Sequence, residues 1–159
     1  MVRYFCDCNC GSAYSMYILG LKYLHSQGTA HGNLKTTNVL LIPCPNSTIP
    51  QPLLTDYGFT TPLYSNFDTP FIQDPSFVAP EVLTNNQVST QPMLLADMFS
   101  YGMVMWEVMM RRVPWEGINP AVIGWRVVIE GKREELPDWV PAEIVRVQFL
   151  FSCFIIGEN

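Results

Sequence analysis

The sequence predicts an α+β fold that is mostly helical, its strands reduced to one short pair. Three observations lead there. From Ser12 to Gln27, apolar side chains recur at Tyr14, Tyr17, Ile18, Leu21 and Leu24, the i, i+3, i+4, i+7 rhythm of a helix with one core-facing side. The stretch Met93 to Met110 is apolar nearly all round, broken by Asp97, Ser100 and Glu107. A helix without a polar face belongs in the middle of a domain. Between them, Asn38–Ile42 and Pro52–Thr55 are apolar runs too short for helices.

Taken in order, Met1 to Gly11 reads as an N-terminal extension. It holds one Arg and no apolar core of the kind a secretory leader needs. The first helix follows, with Gly28 as an αL stop. Pro43, Pro45, Asn46, Ser47 and Pro50 separate the two apolar runs, which reads as a loop between short strands. From Phe59 to Phe77 no period is sustained, and Pro62, Pro70 and Pro75 interrupt any helix, so an irregular loop is expected. After the central helix, Asn119-Pro120 has the form of an N-cap with proline at the first helical position, opening a helix to about Glu130-Gly131. Pro141 opens another, to about Phe151. No internal repeat or domain boundary is visible, and residues 12–159 read as one domain.

With 48% apolar and 14% charged residues, the chain has the composition of a packed globule. Its net charge is −5, and the nine Lys and Arg form no run longer than Arg111-Arg112, which argues against nucleic acid as a partner. Asp97 and Glu107 would be costly at a bilayer centre, so Met93–Met110 is expected to be a buried helix and not a membrane span. Five cysteines lack the spacing of a disulfide framework. Cys6-Asp7-Cys8-Asn9-Cys10 is too tightly spaced for a structural zinc site and has no second ligand pair, so reduced thiols in the cytoplasm are expected.

The chemistry concentrates in His31-Gly32-Asn33-Leu34-Lys35-Thr36-Thr37-Asn38, followed by Asp56-Tyr57-Gly58 and Ala79-Pro80-Glu81. The order and spacing resemble the protein-kinase signatures H-R-D-L-x-x-x-N, D-F-G and A-P-E. Asp97-Met98-Phe99-Ser100-Tyr101-Gly102, continuing to Trp106-Glu107, is similar to the family's central-helix pattern, and Pro114-Trp115-Glu116-Gly117 to the segment after it. The chain thus resembles the large, carboxy-terminal lobe of a eukaryotic protein kinase without the small lobe, truncated before the last helix. The Trp-Glu and Pro-Trp-Glu-Gly forms lean towards the tyrosine-kinase-like group. His-Gly-Asn-Leu-Lys with Asp-Tyr-Gly is similar to receptor pseudokinases and kinase homology domains.

Several roles are implied by the resemblance. Asn38 and Asp56 match the two Mg2+ ligands, hard oxygen donors suited to that ion, and Lys35 matches the lysine that reaches the γ-phosphate of ATP. Asn33 stands where the family has its catalytic aspartate. An amide cannot accept the substrate proton, and general-base assistance is worth about 10²–10⁴-fold, or about 3–5 kcal/mol. Gly32 replaces the Arg that anchors an activation-loop phosphate. His31, Gly58, Glu81 and Asp97 have structural family roles. Asp97 would accept from catalytic-loop N–H groups, and Glu81 would pair with an Arg beyond the penultimate helix, or failing that with Arg111, Arg112 or Arg126. Neither a glycine-rich loop nor a β3-type Lys occurs, since Gly11 and Gly20 stand alone. ATP and Mg2+ binding by this chain alone is therefore not expected. These features point to a pseudokinase acting as a regulatory or interaction module, docking on a protein partner such as a kinase or receptor. The alternatives are an active Ser/Thr or Tyr kinase whose small lobe lies elsewhere, and a non-functional fragment.

Overall fold

The computed structural model describes residues 13–45, 47–57, 74–84, 90–138 and 140. Several sequence expectations lie outside these residues. They are the extension to Gly11 with its cysteines, Gly58, most of the Phe59–Phe77 loop, the helix from Pro141 and Cys153.

Helix α1 spans Ala13–Ser26. It ends as its glycine requires: Gly28 takes φ +68°, its N–H donates to His25 O at 2.9 Å, and Thr29 N–H donates to Leu24 O at 3.0 Å. Leu21 and Leu24 are buried, while Ile18, Leu19 and Tyr23 stay exposed. Burying a Leu21-sized side chain contributes about 1.5–3 kcal/mol.

Strands β1 (Val39–Cys44) and β2 (Ser47–Leu54) pair antiparallel, Val39 opposite Leu54 through Ile42 opposite Gln51. Both are longer than expected, and most of the anticipated Pro43–Gln51 loop is strand. Among the described residues the ribbon has two strands, both of them edges, where proline is tolerated if its nitrogen faces away from the partner strand. The register shifts between Ile42 and Cys44, where Pro43 stands. Helix α1 packs on β2 through Gly20, where a Cβ would sit 3.4 Å from Leu54 Cδ1.

Pro75–Phe77 is a 3₁₀ turn capped by Asp74, whose Oδ1 accepts from Ser76 N–H at 3.2 Å. A short helix that the sequence reading missed, α2 (Pro80–Thr84), follows with Pro80 first and Glu81 in its first turn. Helix α3 (Thr90–Met110) is the central element. Its Ala96, Phe99, Tyr101, Met103, Val104 and Trp106 are all buried, and the cluster extends to Leu21, Leu34, Phe77 and Ala79. By length and composition the Met93–Met110 window matches a membrane span, and half of it is buried inside the fold.

Helix α4 (Pro120–Val128) begins at Asn119, whose Oδ1 accepts from Ala121 N–H at 2.9 Å. Ile123 and Val127 turn inward against the core, whereas Val122, Trp125 and Ile129 face out. It ends at Val128, short of the Glu130-Gly131 boundary read from sequence.

Candidate functional site

The site is built around one buried carboxylate. Asp97, on α3, is 1% exposed, and it would be untenable there without donors. Its Oδ2 accepts from His31 N–H at 2.7 Å and lies 2.8 Å from His25 Nε2, and its Oδ1 accepts from Gly32 N–H at 2.8 Å. The end of α1, the loop from Thr29 to Lys35 and the central helix are thereby joined at one side chain. Gly32 adopts φ +72°, a conformation that glycine enters without steric cost.

His31 is fully buried beneath the loop. Its Nδ1 accepts from Asn33 N–H at 3.3 Å, which leaves the proton of the neutral ring on Nε2. That nitrogen is buried, and no acceptor among the described residues meets it at hydrogen-bonding geometry. Burial pushes the imidazole pKa below its ordinary 6.5, against the opposing pull of Asp97, the Thr55 backbone and Asp56. The Tyr57 ring stands edge-on to it, centroids 6.5 Å apart.

Asn33 is exposed at the tip of this loop. Its carbonyl accepts from Asn38 Nδ2 at 2.7 Å, which ties the two ends of the loop together. Asn38 is 5% exposed and closes a 3₁₀ turn, Thr36–Asn38. The Asn38 carbonyl accepts from both Thr55 N–H at 3.0 Å and Thr55 Oγ1 at 3.3 Å. These bonds bring the end of the loop beside Asp56, the next residue. Asp56 is exposed and sits at φ +58°, a backbone state that costs a non-glycine residue about 1–3 kcal/mol. Lys35 is half-buried, with an extended backbone preceding the turn.

One contact escaped the sequence reading. Thr36 Oγ1 donates to Glu107 Oε2 at 2.8 Å, a second bond between loop and central helix. The available signal was Glu107 itself, a carboxylate within an apolar helix.

Glu81 lies apart from this cluster. Although the residue is only half-buried, both carboxylate oxygens are sealed from solvent and have no hydrogen-bond partner among the described residues. Desolvation pushes its pKa above the ordinary 4.5, partly offset by its own backbone and by the charge of Arg133. Among the described residues no ion pair joins it to Arg111, Arg112 or Arg126, and an Arg beyond the penultimate helix would lie outside those residues.

Comparison with known proteins bears on this arrangement. The family model described as protein kinase domain matches residues 3–145. R831 of Acanthamoeba polyphaga mimivirus, named a serine/threonine-protein kinase/receptor, is 32% identical over 124 residues, covering 75% of this chain and 7% of that protein. Dictyostelium discoideum drkD, named a probable serine/threonine-protein kinase, is 32% identical over 124 residues, 77% of this chain and 9% of its own length. The serine/threonine-protein kinase mos of Patiria pectinifera is 29% identical over 133 residues, 79% of this chain and 36% of its own length. The chain therefore spans well under half of each of these relatives. With the family model matching residues 3–145 of 159, the chain belongs to the protein kinase family.

Proposed function

We propose that this chain is the large-lobe part of a protein-kinase domain, of the tyrosine-kinase-like group, that serves as a regulatory or interaction module with impaired phosphotransfer. One observation carries the reading. The loop is fully assembled, with Asp97 gripping His31 and Gly32 and with Asn38 locked to Asn33, yet the side chain at its exposed tip is an amide. A scaffold that positions a base is retained, and the base is missing. Neutral Asn33 has no lone pair basic enough to take a hydroxyl proton, so about 10²–10⁴-fold of rate is lost.

The remaining polar groups fit the family's cofactors. Asn38 and Asp56 carry side-chain oxygens, hard donors of the kind that suits Mg2+, and Thr55, next to Asp56, is hydrogen-bonded to the Asn38 backbone carbonyl. They would hold the magnesium of a bound nucleotide, and Lys35 would meet its phosphates. When bound, that ion neutralises phosphate charge. A glycine-rich loop and β3 Lys are not among these 159 residues, so nucleotide affinity rests on a small lobe supplied from outside them. The partner is a protein, a kinase or a receptor, and the compartment is the cytoplasm, with the cytoplasmic portion of a larger receptor as the alternative.

A second reading, an active Ser/Thr or Tyr kinase, is favoured by the names of the relatives and by the presence of Lys35, Asn38 and Asp56. Restoring the base separates the two. With the small lobe present, Asn33→Asp should raise phosphotransfer by about 10²–10⁴-fold. An unchanged rate would remove Asn33 as the limiting defect.

A further inference from the structure

We propose that His31 is a proton-operated latch: when its Nδ1 takes up a proton from solvent, the Asn33 N–H is expelled and the tip of the loop opens. The inference goes beyond the reading of Asn33 as a missing base and holds whether or not the chain transfers phosphate.

Two fasteners of different chemistry hold the loop. Asp97 grips its base, accepting from His31 N–H at 2.7 Å and from Gly32 N–H at 2.8 Å. Both donors are peptide groups, so this grip lasts as long as Asp97 stays ionised. The tip is held otherwise. Asn33 N–H donates to His31 Nδ1 at 3.3 Å, and Asn33 O accepts from Asn38 Nδ2 at 2.7 Å. An imidazole nitrogen accepts only while it carries no proton. Protonated Nδ1 would set two N–H donors against each other at that distance, so the Asn33 amide must turn away. A rotation there also draws the Asn33 carbonyl off the Asn38 amide.

Burial confines the opening to the tip. Asn33 is exposed, whereas His31 and Leu34 on either side of it are buried. The residue that moves therefore swings into water and uncovers no core.

The groups around the ring fix which state holds near neutrality. Helix α3 contributes Asp97, and α1 contributes His25, whose Nε2 lies 2.8 Å from Asp97 Oδ2. The segment after β2 contributes Asp56 and Tyr57, the latter edge-on to the ring, and Lys35 lies on the loop itself. The two carboxylates favour an imidazolium, but desolvation outweighs them, so the ring is neutral and the latch closed. Among the described residues neither carboxylate is hydrogen-bonded to a ring nitrogen. A charged ring thus gains by opening, which gives it water.

Nuclear magnetic resonance on the full chain, from about pH 7.5 to 5, tests this. The chain holds two histidines, so His25→Gln suffices to assign the ring signals. The His31 ring should titrate with a midpoint below 6.5. The Asn33 amide and the Asn38 side-chain amide should shift with the same midpoint. Corrected for intrinsic pH dependence, Asn33 hydrogen-exchange protection should fall about 2–10-fold, the worth of one hydrogen bond. The His31 and Gly32 amides, held by Asp97, should keep theirs. His31→Asn offers a carboxamide oxygen in place of Nδ1, which does not titrate, and should make Asn33 indifferent to pH. Asn33 signals that ignore the His31 midpoint, or that keep their pH dependence in His31→Asn, would overturn the proposal. So would a ring that stays neutral until the chain unfolds. Should His31→Asn fail to fold, the midpoints in the unaltered chain decide alone.

Discussion

Replacing Asp97 and replacing its partner His25 should have very different costs, and the difference follows from which groups each change strands. Asp97→Ala leaves the His31 and Gly32 N–H groups, now bonded at 2.7 and 2.8 Å, buried or part-buried without an acceptor. Hydrogen bonds to a charged acceptor are worth about 1.5–3 kcal/mol each, so the two together amount to about 3–6 kcal/mol. Typical domain stability is only about 5–15 kcal/mol. His25→Ala removes a single donor, 2.8 Å from Oδ2, whose side chain is 20% exposed. Asp97 keeps both backbone partners, and the cost should be about 1–2 kcal/mol. Urea unfolding followed by far-ultraviolet circular dichroism gives both numbers. With a slope of about 1–3 kcal/mol/M, Asp97→Ala should lower the midpoint by at least about 1 M or abolish the transition. His25→Ala should lower it by less than half as much. Equal midpoints for the two variants would refute the claim that the backbone bonds of the loop dominate the energetics of Asp97.

The remaining predictions concern protons, a cap and a ligand. Glu81 has a folded pKa raised by desolvation, so its contribution favours the fold at low pH and is lost as pH rises through the folded value. His31, lowered by burial, works the other way: its contribution is full above 6.5 and is lost as pH falls through the folded value. Glu81→Gln should therefore steepen the fall in melting temperature between about pH 6.5 and 5, since the acid-side loss from His31 is no longer opposed. Parallel curves for variant and parent would contradict this. Asn119→Ala should cost about 1 kcal/mol through loss of the α4 cap, read as a lowered melting midpoint, while Asn119→Ser should be nearly neutral. Millimolar Mg-ATP should move the melting temperature of this chain by less than about 1 °C, because a ligand stabilises only in proportion to its binding of the folded state. A shift of several degrees would show that the described residues suffice for the nucleotide.

Much of this architecture could be read from local pattern, and what could not shares one physical cause. Helix α1 announced itself through apolar spacing and Gly28, α3 through the lack of a polar face, and α4 through Asn119-Pro120. Each is a signal contained within a few residues. Asp97 was conspicuous for a related reason, since a carboxylate inside an apolar helix must find donors. The misses all depend on distant neighbours. Pro43 and Pro50 look like strand breakers until the strands prove, among the described residues, to be paired only with each other. Helix α2 is too short to display a period and is defined by its packing against α3 and α4. Thr36 meets Glu107 from 71 positions away.

Phosphoryl transfer, measured directly on the longest natural form of the polypeptide that includes its small lobe, addresses the central claim. With γ-labelled ATP, magnesium and a generic protein acceptor, label should accumulate at about 10²–10⁴-fold below the rate of the Asn33→Asp variant. Transfer by the unaltered protein at typical kinase rates, about 1–100 per second, would contradict the account.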